Sequence, residues 1–265
     1  MRVRICRFTH GEEVSFGVLD NLDDQGELTD NSIIAILKGH PFGEPDPDGR
    51  VIAASAVKLL APILPSKIIG IGRNYADHAA EMNSELPTEP LMFLKPSTSV
   101  IGPGQIITLP NQSSMVHHEA ELAVVIGRFC KDVPRERVSE VILGFTCAND
   151  VSARDVQGSD GQWSRAKGFD TFCPLGPWIE TDLDPSDLAV TAYVGDELRQ
   201  SGSTKNLIFS VVDLVSYVSH QMTLLPGDVI LTGTPAGVGP IVSGDEVEVA
   251  IEGIGSLVNT VERAK

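Results

Sequence analysis

Two glutamates two residues apart, in His117-His118-Glu119-Ala120-Glu121-Leu122, stand at the head of the apolar run Leu122 to Ile126. In an extended chain, residues i and i+2 point to the same face. Glu119 and Glu121 therefore converge on one side of a predicted strand, with Ala120, Leu122 and Val124 on the other. Two carboxylates held together where a strand enters a core repel each other and are costly to desolvate. A divalent cation between them removes both penalties. The alternative is a solvated edge strand whose glutamates face water, the ordinary place for a carboxylate.

Other residues carry chemistry of the same kind. Asp150 follows the strand-like run Val141 to Ala148, where a third carboxylate can reach the first two. Three oxygen donors without a thiolate suit a hard ion such as Mg²⁺, Mn²⁺ or Ca²⁺; Asn149-Asp150-Val151-Ser152 equally has the composition of a turn or helix cap. In Tyr75-Ala76-Asp77-His78-Ala79-Ala80-Glu81, His78 and Glu81 share a face if the segment is helical. A carboxylate beside an imidazole fixes its tautomer and raises its basicity, as a general base acting on water requires. An exposed i, i+3 surface pair has the same spacing. The polar loop Asn83 to Pro90 would let this helix act as a lid.

Ile68-Ile69-Gly70-Ile71-Gly72-Arg73-Asn74-Tyr75 resembles a dinucleotide fingerprint, but Tyr75 stands where the third glycine belongs and no regular βαβ pattern follows. It is read instead as a strand whose glycines permit close backbone approach. The strand ends at Arg73, a partner for an anionic ligand or for a structural carboxylate. Lys167 is a cation placed before Gly168, as much in keeping with a surface residue as with a site. The loop Thr232-Gly233-Thr234-Pro235-Ala236-Gly237 offers backbone N–H groups and the Thr234 hydroxyl to an anion or carbonyl, or simply makes a tight turn.

Strands must carry most of these groups. Beyond Pro65 the predicted strands are 67–71, 91–94, 119–126, 141–148, 188–194, 229–232 and 246–251, with one clear amphipathic helix over 210–221. Strands and long helices do not alternate, which argues for an α+β, mostly β architecture and against a doubly wound or (β/α)₈ one. Before Pro65 two strands, 2–8 and 14–19, a short helix over 31–37 and a loop over 41–49 read as a small α+β domain of its own. The expected division is 1–64 and 65–265, with Ala61-Pro62-Ile63-Leu64-Pro65 as linker.

Composition narrows the function. The 265 residues carry a formal net charge of -16, which argues against nucleic acid or an anionic membrane as partner. An anionic ligand would need local positive charge from a few placed Arg and Lys residues or from a metal. No stretch approaches the roughly 20 apolar residues of a membrane span, and the N-terminus lacks the pattern of a signal peptide, so a cytoplasmic location is expected. Four scattered cysteines without a Cys-x-x-Cys pair suggest neither a zinc site nor a disulfide framework.

In order along the chain, Gly72-Arg73-Asn74-Tyr75-Ala76-Asp77-His78, Phe93-Leu94-Lys95-Pro96, His118-Glu119-Ala120-Glu121-Leu122, Asn149-Asp150-Val151-Ser152-Ala153-Arg154-Asp155-Val156-Gln157, Lys167-Gly168-Phe169-Asp170 and Thr232-Gly233-Thr234-Pro235 together resemble the fumarylacetoacetate hydrolase family from Ser66 to the C-terminus. The resemblance implies a mixed β-roll preceded by a small N-terminal domain, commonly a homodimer. It implies that Glu119, Glu121 and Asp150 bind one Mg²⁺ or Mn²⁺, that Gln157, Lys167 and Thr234 contact substrate, and that His78 and Glu81 form a lid dyad. His117 replaces the aspartate of many members and is expected behind the ligands. The substrate is expected to be a small anionic 2-oxo acid or diacid, handled through a metal-stabilised enolate. Arg73, Lys167 and Gln157 would hold the anion. Acylpyruvate hydrolysis, oxaloacetate decarboxylation and enol–keto isomerisation of 2-hydroxyhepta-2,4-diene-1,7-dioate share that intermediate; the lid dyad tilts the expectation towards C–C cleavage. A non-catalytic protein stabilised by its metal is the competing class.

Overall fold

The computed structural model describes residues 3–23, 27–82 and 84–264. Its largest sheet runs, by neighbouring strands, Pro47–Ala53, Ile33–Leu37, Glu13–Asp20, Arg4–His10, Cys173–Glu180, Ile142–Asn149, Ala120–Ile126, Val229–Leu231, Ile68–Gly72 and Leu91–Lys95. Neighbours are antiparallel except Val229–Leu231 beside Ile68–Gly72. A second sheet of Glu197–Ser203, Ala189–Val194, Glu246–Ile251, Gly255–Arg263 and Ile107–Leu109 packs against it, and a small third sheet joins Ser152–Ala153, Val116–His118 and Gly239–Pro240. The fold is mostly β and mixed, as expected.

The strand Ala120–Ile126 is the spine of the molecule, buried along its whole length. Ala120, Leu122, Val124 and Ile126 enter a core shared with Val190, Val249 and the helix Val211–Gln221, while Ala123 and Val125 enter another with Ile68, Ile179 and Leu231. Each such aliphatic side chain withdrawn from water contributes roughly 1.5–3 kcal/mol. The helix turns Leu214, Val215 and Val218 inward, and Ser210 starts it with a reciprocal capping box to Asp213.

Two expectations near the N-terminus are corrected. Residues 33–37 form a strand, not a helix: Ile33-Ile34-Ala35-Ile36-Leu37 is dominated by β-branched side chains that are stiff in a helix, and strands on both sides supply its hydrogen bonds. Part of the predicted loop is the start of the strand Pro47–Ala53, an exposed edge that tolerates proline at its first position. Strands Cys173–Glu180, Glu197–Ser203 and Gly255–Arg263 escaped the sequence reading. In the first, Pro174, Gly176 and Pro177 look like breakers yet lie in a buried strand. Hydrogen bonding is continuous across the expected division, since Arg4 and Ile5 pair with Glu180 and Ile179 and Arg4 Nε lies 3.1 Å from the buried Glu180 carboxylate.

Candidate active site

Antiparallel register brings the carboxylates together. Ala120 pairs with Asn149 and Glu121 with Ala148, so Glu119 and Asp150, one step beyond, must be neighbours although 31 residues apart. The Asp150 N–H donates to the Glu119 carbonyl at 2.9 Å, and Asn149 Oδ1 accepts the Glu119 N–H at 2.9 Å. Glu119 lies between two short strands rather than inside one. Carboxylate oxygens of Glu119, Glu121 and Asp150 lie within 4.8 Å of one another, and the three residues are 3%, 2% and 1% exposed. Their burial removes the solvated-edge alternative.

Cations surround this cluster unevenly. Lys167 Nζ bridges Glu119 at 2.8 Å and Asp150 at 2.6 Å. Lys95, at the end of Leu91–Lys95, pairs with Asp150, and Arg154 Nη2 pairs with Glu119. Glu119 and Asp150 thus have two cationic partners each. Burial would raise the Glu119 carboxyl, but Lys167 and Arg154 hold it well below the usual carboxylate range. Glu121 has no ion pair among the described residues and accepts only the Gly233 N–H at 2.6 Å. Burial, then Asp150 and Glu119, push its carboxyl well above the usual range. Three hard oxygen donors around one uncompensated negative charge fit a divalent cation such as Mg²⁺ or Mn²⁺.

All three carboxylates line one cavity of about 370 Å³ with Arg73, His78, His117, Arg154, Gln157, Lys167 and Thr234. His78 sits on the short helix Ala76–Glu81 and is buried; its Nδ1 lies 3.1 Å from Glu81 Oε2. An ionised carboxylate only accepts, so Nδ1 carries the proton and Nε2 is the basic nitrogen. Glu81 is fixed in turn by the Gly237 N–H at 3.0 Å. The glycine-rich loop does offer its N–H groups to anions, but these are the protein's own carboxylates, Glu121 and Glu81. The predicted lid loop begins at Asn83, which lies outside the described residues; its following residue, Ser84, lines the cavity.

Thr234, buried, donates its hydroxyl to the Ala120 carbonyl at 2.8 Å and accepts from Gln200 Nε2 at 2.7 Å. Gln157 Oε1 accepts from Arg154 Nη1 at 2.9 Å. His117 lines the cavity outside the carboxylate cluster; burial, Arg154 and His118 push its imidazole down to about 4. The glycines of Ile68–Gly72 make room for aromatic rings: a Cβ on Gly70 would lie 2.1 Å from the Phe93 ring, and one on Gly72 2.4 Å from that of Trp163.

Sequence reading assigned no role to Lys95, Arg154, Trp163 or Gln200. Lys95 and Arg154 stood inside quoted motifs, and their charge beside carboxylate-bearing segments was a usable signal. Gln200 had none. It reaches in from the second sheet, where its Oε1 accepts from the Ala120 N–H at 2.9 Å and its Nε2 donates to the Pro235 carbonyl at 2.7 Å.

Fold and site together define a mostly β scaffold in which three buried carboxylates, a donor set that fits a metal ion, line one cavity. Residues 67–262 match the family description "Fumarylacetoacetate (FAA) hydrolase C-terminal", and residues 3–62 match "Rv2993c-like, N-terminal". The chain belongs to the fumarylacetoacetate hydrolase family and is an enzyme of it, which removes the scaffold-protein alternative. A mitochondrial oxaloacetate tautomerase, Fahd2a of Rattus norvegicus, is 45% identical over 223 residues, covering 80% of this chain and 71% of that protein. The structure of a 5-carboxymethyl-2-hydroxymuconate delta-isomerase from Mycobacterium smegmatis superimposes with a TM-score of 0.92 at 51% identity, over 98% of this chain and 100% of that one. A maleylpyruvate hydrolase from Sphingobium sp. SYK-6, solved with manganese(II) and pyruvate, gives 0.77 at 31% identity over 99% and 100%. No helix among the described residues is long and apolar enough to cross a membrane.

Proposed function

We propose that the enzyme interconverts enol and keto forms of a small 2-oxo acid, with His78 moving the proton at the carbon next to the 2-oxo group. The observation that carries this reading is the convergence of a Glu81-oriented imidazole and three buried carboxylates on one cavity. A divalent ion held by Glu119, Glu121 and Asp150 would supply Lewis acidity to the 2-oxo acid head. The Glu81 carboxylate keeps the Nδ1 proton in place, so Nε2 can accept and return a proton without the ring turning. Lys167 and Arg154 face the same space and stabilise negative charge that develops on a substrate oxygen.

The sequence reading favoured C–C cleavage; the tautomerase and the isomerase at 45% and 51% identity favour proton transfer. Cleavage is kept as a second reading, because the hydrolase bound to manganese(II) and pyruvate shares the fold and His78 is equally placed to activate water.

The test follows the ultraviolet absorbance of enol oxaloacetate and pyruvate release together, with Mg²⁺ and with EDTA. Proton transfer predicts fast, metal-dependent loss of the enol with little pyruvate, falling about 10²-fold or more in His78→Ala. Stoichiometric pyruvate would shift the assignment to cleavage, and no acceleration of either reaction would sink both readings.

A further inference from the structure

Arg73 is held in an unusual way. Its backbone takes φ +58, the left-handed region that a side chain with Cβ adopts only at a cost. Such outliers persist where the surrounding structure enforces them, and they cluster at ligand sites. Its guanidinium makes no ion pair or hydrogen bond among the described residues, although it is half-buried in the cavity wall. An unpaired cation there is costly unless something anionic meets it.

One contact does hold it. Arg73 Cζ lies 5.8 Å from the ring centroid of Trp163, within cation–π range. Trp163 is seated in the space left by the missing side chain of Gly72 and braced edge-on by Phe93, with centroids 5.6 Å apart at 63°. The face of Phe93 carries Lys167 Nζ at 5.1 Å, and Lys167 bridges Glu119 and Asp150. One cavity wall therefore runs from the carboxylate cluster through Lys167, Phe93 and Trp163 to Arg73, with two cations separated by two aromatic rings.

We propose that Arg73, positioned by Trp163, binds a second carboxylate of the substrate, so that the enzyme selects dicarboxylates over monocarboxylates with the same 2-oxo acid head. The cation–π contact engages no N–H group of the guanidinium in a hydrogen bond, so its donors are available to take a carboxylate in a bidentate fork. In a chain of net charge -16 the overall field opposes a dianion, and the other lining cations, Lys167 and Arg154, are already paired with Glu119 and Asp150, so Arg73 is the cation placed to receive the far carboxylate. Trp163 is a positioning residue: its indole sets where the fork stands. The inference rests on the 2-oxo acid head lying at the carboxylate cluster.

Two measurements test it on the full-length, Mg²⁺-loaded enzyme. Calorimetry compares binding of 2-oxoglutarate with 2-oxopentanoate, which has a methyl group in place of the terminal carboxylate, and steady-state kinetics compares oxaloacetate with its 4-methyl ester. The wild type is expected to prefer each diacid by roughly tenfold or more. Arg73→Gln removes the preference through Kd and KM, weakening the diacids roughly tenfold more than the monoacids, and Arg73→Lys restores part of it. Trp163→Leu lowers the preference severalfold, and Trp163→Phe, which keeps an aromatic face, lowers it less. Thermal melts of each variant show whether it is folded. A wild type without preference, or an Arg73→Gln variant that weakens mono- and diacids equally, overturns the proposal. Diacid preference in binding without enol–keto turnover would leave the carboxylate subsite standing and overturn the reaction proposed above.

Discussion

Replacing Glu121 by glutamine should stabilise the metal-free protein and destabilise the metal-loaded one relative to wild type. Glu121 stands within 4.8 Å of both other carboxylates. At an effective dielectric near 20, two like charges at that distance repel by roughly 3.5 kcal/mol. Lys167, Lys95 and Arg154 pair with Glu119 and Asp150, so Glu121 is compensated only at second hand. A neutral amide of the same shape still accepts the Gly233 N–H, and the net relief is about 2–3 kcal/mol. In excess EDTA that raises Tm by about 4–5 °C. With metal at 1,000 times its Kd the wild type gains about 4.1 kcal/mol, the variant far less, and the order reverses. The pH dependence has a definite sign. The raised Glu121 carboxyl keeps in the folded chain a proton that the unfolded chain releases above about pH 4.5. Wild-type stability in EDTA therefore falls as pH rises from there, by at most about 1.4 kcal/mol per pH unit, and Glu121→Gln flattens that slope. Circular-dichroism melts in EDTA and in Mg²⁺ across pH 5–8 decide the matter; a glutamine variant less stable than wild type in EDTA would refute the charge account.

Asn74 is fully buried and donates through Nδ2 to Thr232 O at 2.8 Å and Phe209 O at 3.0 Å, while Oδ1 accepts the Phe209 N–H at 2.8 Å. Asn74→Ala strips these backbone groups of partners and should cost about 3–5 kcal/mol, read as a lower urea midpoint at unchanged m. Gln200 Oε1 also lies 3.1 Å from His118 Nδ1, so Gln200→Leu strips His118 and the Ala120 N–H of a partner and removes the donor to the Thr234 hydroxyl, and kcat/KM should fall roughly tenfold or more; unchanged kinetics would show that Thr234 needs no such support. Cys6, Cys130, Cys147 and Cys173 are free and buried, with the Cys6 and Cys173 thiols pushed up to about 12 by burial. A thiol reagent should find none of them in the native protein and all four in guanidinium, whereas a fast native reaction would contradict this packing.

Much of the site was legible because strand chemistry is local. The spacing of Glu119 and Glu121, the three-residue step from His78 to Glu81 and the apolar run after Leu122 are short-range patterns whose meaning depends only on the period of a strand or helix. Expectations failed where partners decided conformation. Ile33 to Leu37 became a strand because two strands flank it, and Cys173–Glu180 stayed hidden because its prolines and glycines resemble turn chemistry.

Alone, the amino-acid sequence determined the residue types, their order and the local faces: a carboxylate pair, an imidazole with its orienting acid, a mostly β architecture and the family they resemble. Tertiary structure decided burial, pairing and charge balance. Register, not spacing, placed Asp150 beside Glu119, and only packing left Glu121, among the described residues, as the one carboxylate of the three without a cation and Arg73 as a cation without an anion. Electrostatic energy depends on distance and on exclusion of water, and neither exists until strands far apart in sequence are hydrogen-bonded side by side.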